Sequence, residues 1–216
     1  MDEFYEMFLS ELGPQFTKVQ PSPQQIDRFS GRLPEQLLEY WKLYGWCGYY
    51  EGLFWLVNPD DYVSVVETWL ESTQIENKSD YLAIARTAFG RIFLWNKEAG
   101  QTVTIVSLDS QIITSPPNKK VVAGDDTIPL QSFLIGKEPD RLDIEDVKEK
   151  KLFKRALKKL GPVAEDEMYG FEPALCIGGM PVLENIRKFK TIEHLILLER
   201  FGEIEIMHID VGRHLQ

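Results

Sequence analysis

Apolar residues recur at helical three-and-four spacing over the first seventy positions. Near residue 80 they change to the short runs of strands, and helical spacing returns after residue 127. Residues 2–12 put Phe4, Met7, Phe8 and Leu12 on one helical face, which Gly13-Pro14 stops, and a second short helix is expected over Pro23 to Phe29. In a third helix Pro34 fits the first position, Leu37, Leu38, Trp41 and Tyr44 form the buried face, and Gly45 occupies the left-handed cap. The apolar run from Leu53 to Val57 reads as a buried strand, and Asn58-Pro59 opens a helix to about Ser72 that buries Val65, Val66, Trp69 and Leu70.

From Asp80 to Ser115 four β-like runs follow: Tyr81 to Thr87, Arg91 to Asn96, Thr102 to Ser107 and Gln111 to Thr114. Phe89-Gly90, Lys97 to Gly100 and Asp109-Ser110 are turn signals between them, so the segment predicts an antiparallel meander covered by helices. A strand at Val121 to Ala123 and a helix over Ile128 to Leu134 come next. The polar segment 136–142 reads as a linker between a domain at 1–135 and another at 143–216. The second part opens with a helix from Asp146 to Leu160 that carries seven Lys/Arg residues around an apolar side of Leu152, Phe153, Ala156, Leu157 and Leu160. After an acidic turn comes a short apolar strand that includes Cys176 and ends in Gly178-Gly179. Thr191 then caps a helix from Ile192 to Phe201, with Leu195, Ile196 and Leu198 inward and Gly202 as its stop, and residues 204–209 continue as strand or helix. The fold class expected is α+β: helices packed on a mostly antiparallel sheet, with a smaller helical and β C-terminal subdomain.

Charge narrows the partners. Acidic residues outnumber basic ones by 34 to 24, a formal net charge of −10, whereas direct phosphate binding needs clustered Lys and Arg. Nucleic acid is therefore not the expected ligand, and a basic protein suits this surface better. The opening MDEFYEMFLSEL lacks the basic start and unbroken apolar run of a secretory signal, and no apolar run approaches the roughly 20 residues of a membrane-spanning helix. Cys47 and Cys176 make no disulfide framework, so a cytoplasmic location is expected, with no membrane partner.

Candidate chemistry is sparse. His208 and His214 are the one close histidine pair, too little for a metal site. No Gly-x-Ser-x-Gly elbow or comparable nucleophile motif occurs, and both cysteines read as small buried hydrophobes. Asp60-Asp61, Asp125-Asp126 and Glu165-Asp166-Glu167 fall at helix starts or turns, where carboxylates serve as caps. Gly178-Gly179 leads into Met180-Pro181 rather than a phosphate-binding helix. No catalytic residue, metal or cofactor is expected.

Two blocks carry a family resemblance. Leu33-Pro34, Trp41-x-x-Tyr44-Gly45, Gly52-Leu53-Phe54-Trp55, Asn58-Pro59, Ala88-Phe89-Gly90 and Phe93 to Asn96 are similar to the GAD-like domain. The stretch LFKRALKKLGPVAEDEMYGFEPALCIGG, with the helix at Glu193-His194-Leu195, resembles the domain that follows it in immunity proteins of type VI secretion DNase toxins. The resemblance implies a non-enzymatic antidote that binds and neutralises a cognate nuclease toxin in the producer's cytoplasm. A regulatory or scaffold module for an endogenous protein or small ligand is the alternative. Under the first reading the expected toxin contacts are Glu165, Asp166 and Glu167 with Tyr169, Phe171 and Glu172, and a second patch is Tyr49, Tyr50 and Glu51. For Tyr169-Gly170-Phe171 packing of the helix against the strand is the stronger of the two readings.

Overall fold

The computed structural model describes residues 2–209. In chain order come α1 (Glu3–Leu12), β1 (Lys18–Val19), α2 (Pro23–Asp27), α3 (Glu35–Tyr44), β2 (Trp46–Tyr49), β3 (Phe54–Leu56) and α4 (Val63–Glu71). The meander β4 (Tyr81–Thr87), β5 (Arg91–Asn96), β6 (Gly100–Val106) and β7 (Gln111–Thr114) follows. Then come α5 (Lys119–Val122), α6 (Thr127–Ile135), α7 (Pro139–Leu142), α8 (Phe153–Leu160), β8 (Glu167–Phe171), β9 (Ile186–Lys190), α9 (Thr191–Glu199) and β10 (Glu205–His208).

Eight strands form one sheet in the order β1-β2-β3-β4-β5-β6-β7-β10, antiparallel except where β10 runs parallel to β7. The architecture is α+β, with α1, α3, α4 and α6 packed on the sheet, and β8 and β9 form a separate antiparallel ribbon. The meander strands lie where alternation and turn residues put them. Both faces are covered, so β4 and β5 are buried at nearly every position. Gly45 fixes one edge: at φ 78° and ψ −177° it ends α3, and a Cβ there would lie 2.6 Å from the Val19 carbonyl oxygen. No larger residue lets β1 dock so closely on the end of that helix.

The C-terminal segment ties back into this sheet. Ser110 and Thr114 carbonyls accept from the Glu205 and Ile209 amides at 2.9 and 2.8 Å. Trp69 Nε1 on α4 donates to the Leu195 carbonyl of α9 at 2.9 Å, 126 residues away in sequence.

Several local expectations are corrected. Helix α1 buries Tyr5, Phe8 and Leu12, while Phe4 and Met7 face outward. Residues 121–123 are not a strand: Asn118 Oδ1 accepts from the Lys120 amide and caps the short helix α5. Helix α8 starts at Phe153 rather than Asp146. The Asp146 carboxylate accepts from the Lys148 and Lys150 amides, closing a turn that competes with helix, and Asp143 caps the Phe153 amide instead. The apolar stretch at 174–177 is a 3-10 turn, and its Cys176 is half-exposed. Thr191 is not a side-chain cap of α9; it is buried as the helix's first residue, and its backbone amide bonds the Asp166 carbonyl at 2.8 Å. That helix ends at Glu199, and residues 205–208 are strand. Of the histidine pair, His208 is exposed on β10, and His214 lies outside the described residues.

Candidate functional site

One arginine organises the surface that matters here. Arg86 sits on β4 between β3 and β5 and is fully buried. Among the described residues its guanidinium has no carboxylate in hydrogen-bond contact. Instead it donates to the carbonyls of Ala164 at 3.2 Å, Glu165 at 2.9 Å and Thr87 at 3.3 Å, and it lies 4.9 Å from the Trp55 ring centroid. Burial pushes its pKa below the ordinary arginine value, opposed by the neighbouring Tyr62 and by the field of Asp166 and Glu165. A buried cation is tolerated only when its donors are satisfied and negative charge lies near. The acidic turn meets most of this need: two of its carbonyls take hydrogen bonds and the field of its carboxylates favours the charge, while Arg86 Nε has no hydrogen-bond partner.

The turn is thereby held as one wall of a groove with a cavity volume of about 450 Å³. Trp46 and Trp55 of β2 and β3, Asn58, Asp61 and Tyr62 of the following turn, and Lys190 to Glu193 at the start of α9 form the other walls. Four carboxylates line it: Asp61, Glu165, Asp166 and Glu193. Asp166 forms an ion pair with Lys190, and Arg28 pairs with Asp60, the neighbour of Asp61. Among the described residues Glu165, Glu193 and Asp61 have no ion pair. Partial burial raises the Asp61 carboxyl above the ordinary aspartate range, although Asn58 Nδ2 donates to it at 3.0 Å. Two polar side chains of the lining are buried without a hydrogen-bond partner: Thr191, 1% exposed, through Oγ1, and Trp46, 7% exposed, through Nε1.

The expected contact residues divide on this geometry. Glu165 and Asp166 are exposed at the groove. Glu167 starts β8 and turns inward along the surface, where Oε2 accepts from the Ala164 amide at 3.1 Å and from Lys188 at 3.5 Å. Tyr169 and Phe171 are not displayed beside them; they are 0% and 1% exposed. Tyr169 packs its ring against Phe89 and Phe153 and donates its hydroxyl to the Gly161 carbonyl at 2.6 Å, so it joins α8 to the sheet. Glu172 is exposed but lies past the far end of β8, some five residues and roughly 16 Å along the strand, and pairs with Arg187.

The second patch is also split. Tyr49 is fully buried, its hydroxyl 2.6 Å from that of Tyr5 and accepting from Cys47 Sγ at 2.9 Å. Burial there pushes the Cys47 thiol up to about 11, which leaves it unreactive at neutral pH. Tyr50 is half-buried and Glu51 exposed, but Lys154 of α8 lies 4.3 Å from the Tyr50 ring centroid and forms an ion pair with Glu51. Neither residue lines the groove.

Sequence reasoning missed Arg86, Asp61, Glu193 and the two tryptophans as one constellation. The signal for Arg86 was present: an arginine inside the apolar run Leu82 to Thr87 is a charge the sheet must bury. Among the described residues no cluster of His, Cys, Asp and Glu has the geometry of a metal site, and no helix is long and apolar enough to cross a membrane.

Two family models match the chain one after the other. The GAD-like domain model matches residues 3–109, and the model described as T6SS immunity protein Tdi1, C-terminal, matches residues 129–202. Among solved structures, that of Atu4351 from Agrobacterium tumefaciens is similar with a TM-score of 0.86 and 25% identity, over 97% of this chain and 94% of that one. No curated protein matches.

Proposed function

The chain belongs to the family in which a GAD-like domain precedes the C-terminal domain of T6SS immunity protein Tdi1, and from this we propose that it is an immunity protein. It acts without catalysis, binding a cognate type VI secretion nuclease in the producing cell's cytoplasm and neutralising it. The observation that supports a nuclease as the target is the groove at which both matched segments meet, with three carboxylates that have no ion pair among the described residues. A nuclease presents basic groups to the DNA backbone, so an acidic surface complements that cleft, speeds encounter and competes with DNA. The net charge of −10 acts in the same direction over longer range. Contact centred on Glu165 and Asp166 follows from their place at the groove, and the buried Tyr169 and Phe171 serve as its support.

Purified protein mixed with the nuclease encoded beside its gene is expected to elute as a one-to-one complex and to stop DNA cleavage. Absence of both binding and protection would rule out the antidote role.

A further inference from the structure

We infer that the groove is a socket for one arginine side chain of the partner protein, an inference that rests on the immunity reading above. Its carboxylates come from three separate segments. Asp61 follows β3, Glu165 and Asp166 lie in the turn before β8, and Glu193 stands in the first turn of α9. Lys190 engages only Asp166, which leaves the other three to an incoming cation.

Charge alone would suit lysine as well; the lining favours the guanidinium. Trp46 and Trp55 line the groove but are only 7% and 2% exposed, and the Trp55 ring already carries the Arg86 guanidinium at 4.9 Å, so the preference comes from hydrogen-bond geometry. A planar guanidinium offers five N–H donors in a fixed fork that can reach carboxylates on separate segments, whereas an ammonium is a compact, strongly hydrated point charge. The buried Thr191 hydroxyl without a partner is an acceptor waiting for such a donor. Trp46 Nε1–H, also without a partner, needs an oxygen, which the main-chain carbonyl beside the arginine can bring. A volume of about 450 Å³ is enough for the side chain together with that stretch of backbone. The raised Asp61 carboxyl favours a cation of either kind, which would restore its charged form.

The test uses the full-length protein and the nuclease encoded next to it, with affinity measured by calorimetry at several salt concentrations. The triple variant Asp61→Asn/Glu165→Gln/Glu193→Gln is expected to bind about 100-fold more weakly and with a flatter salt dependence. Thr191→Val, nearly isosteric, is expected to cost about 5-fold. Single arginine-to-alanine substitutions across the nuclease should reveal one that reproduces the loss, adds little on the triple variant, and is not rescued by lysine. Should the triple variant fail to fold by circular dichroism, the arginine scan decides, since it leaves this protein unaltered. Binding of the triple variant within threefold of the unaltered protein, or no arginine that couples to it, overturns the socket while the immunity role stands. Failure of the unaltered protein to bind the nuclease overturns the immunity role itself.

Discussion

Two turns of this protein share the same vocabulary, carboxylates next to aromatic residues, and the fold uses them in opposite ways. The turn at 164–167 is fastened from beneath by Arg86 through its carbonyl oxygens, so both Glu165 and Asp166 face a groove, Asp166 in an ion pair with Lys190 and Glu165 with no ion pair among the described residues. The turn at Tyr50–Glu51 is fastened from above: both side chains are taken up by Lys154, and both residues hold positive φ, 47° and 54°. Backbone anchoring leaves side chains for a partner, whereas side-chain anchoring spends them inside the molecule. Exposure and residue type do not separate the two cases; the atoms that hold each turn do.

The sharpest way to break this contrast is Arg86→Ala. It removes a fully buried side chain, takes from the Glu165 carbonyl its Arg86 donor, leaves the Ala164 carbonyl with only the Glu167 amide and opens a cavity behind Trp55. A loss of about 3–5 kcal/mol in urea unfolding is expected. Amide exchange should quicken at 164–167 and remain slow at 50–52. If instead the acidic turn keeps its protection while Arg86 is gone, the carbonyl hydrogen bonds are not what holds it.

Acid should loosen the same side of the molecule by a different route. Helix α9 carries Thr191 and Glu193 to the groove, and it is seated by His194, whose ring stacks on Phe189 at 3.9 Å with an interplanar angle of 4°. Gly170 passes so close that a Cβ there would lie 2.5 Å from His194 Nε2, and that nitrogen has no hydrogen-bond partner. Burial therefore lowers the imidazole pKa from 6.5 to about 4. The folded state disfavours the proton that the unfolded chain accepts, so this contribution is complete above pH 6.5 and is lost progressively as the pH falls toward 4, to about 3 kcal/mol in total. His194→Phe keeps a stacked ring and removes the titration. Its unfolding free energy should be flatter between pH 6.5 and 4 than that of the unaltered protein, and identical pH profiles would show that His194 is not the group responsible.

The comparison also explains how far the sequence could be read. The meander was legible because strand periodicity and turn residues sit together, as at Phe89-Gly90 and Asp109-Ser110, and the apolar faces of α3 and α4 were legible from helical spacing. Residues 146–151 were not, because an Asp that closes its own turn is invisible to hydrophobic period. In Glu167-Met168-Tyr169-Gly170-Phe171 the last four residues are buried, so alternation no longer marks an outside face, and Tyr169 and Phe171 look available when they are core. The groove was least legible of all. It joins segments around residues 46, 55, 61, 165 and 191, and nothing local in any of them announces the others.

The smallest expected effect bears on the other turn. Lys154→Ala removes an exposed ion pair with Glu51 and a cation–π contact with Tyr50, at side-chain exposures of 54% and 56% for the charged pair. Solvent screening and the entropy of two long side chains leave such pairs worth under about 1 kcal/mol, and high salt should erase part of even that. Stability will therefore scarcely move, but the positive-φ turn loses the contacts that hold it. Amide exchange at residues 50–52 should quicken while 164–167 stay protected, the mirror image of the Arg86 result. Affinity for the nuclease should be unchanged, because Glu51 is already occupied within the fold and its release only adds a mobile charge away from the groove. A marked change in affinity would mean that the turn spent on Lys154 also meets the partner, and the division of labour between the two turns would then fail.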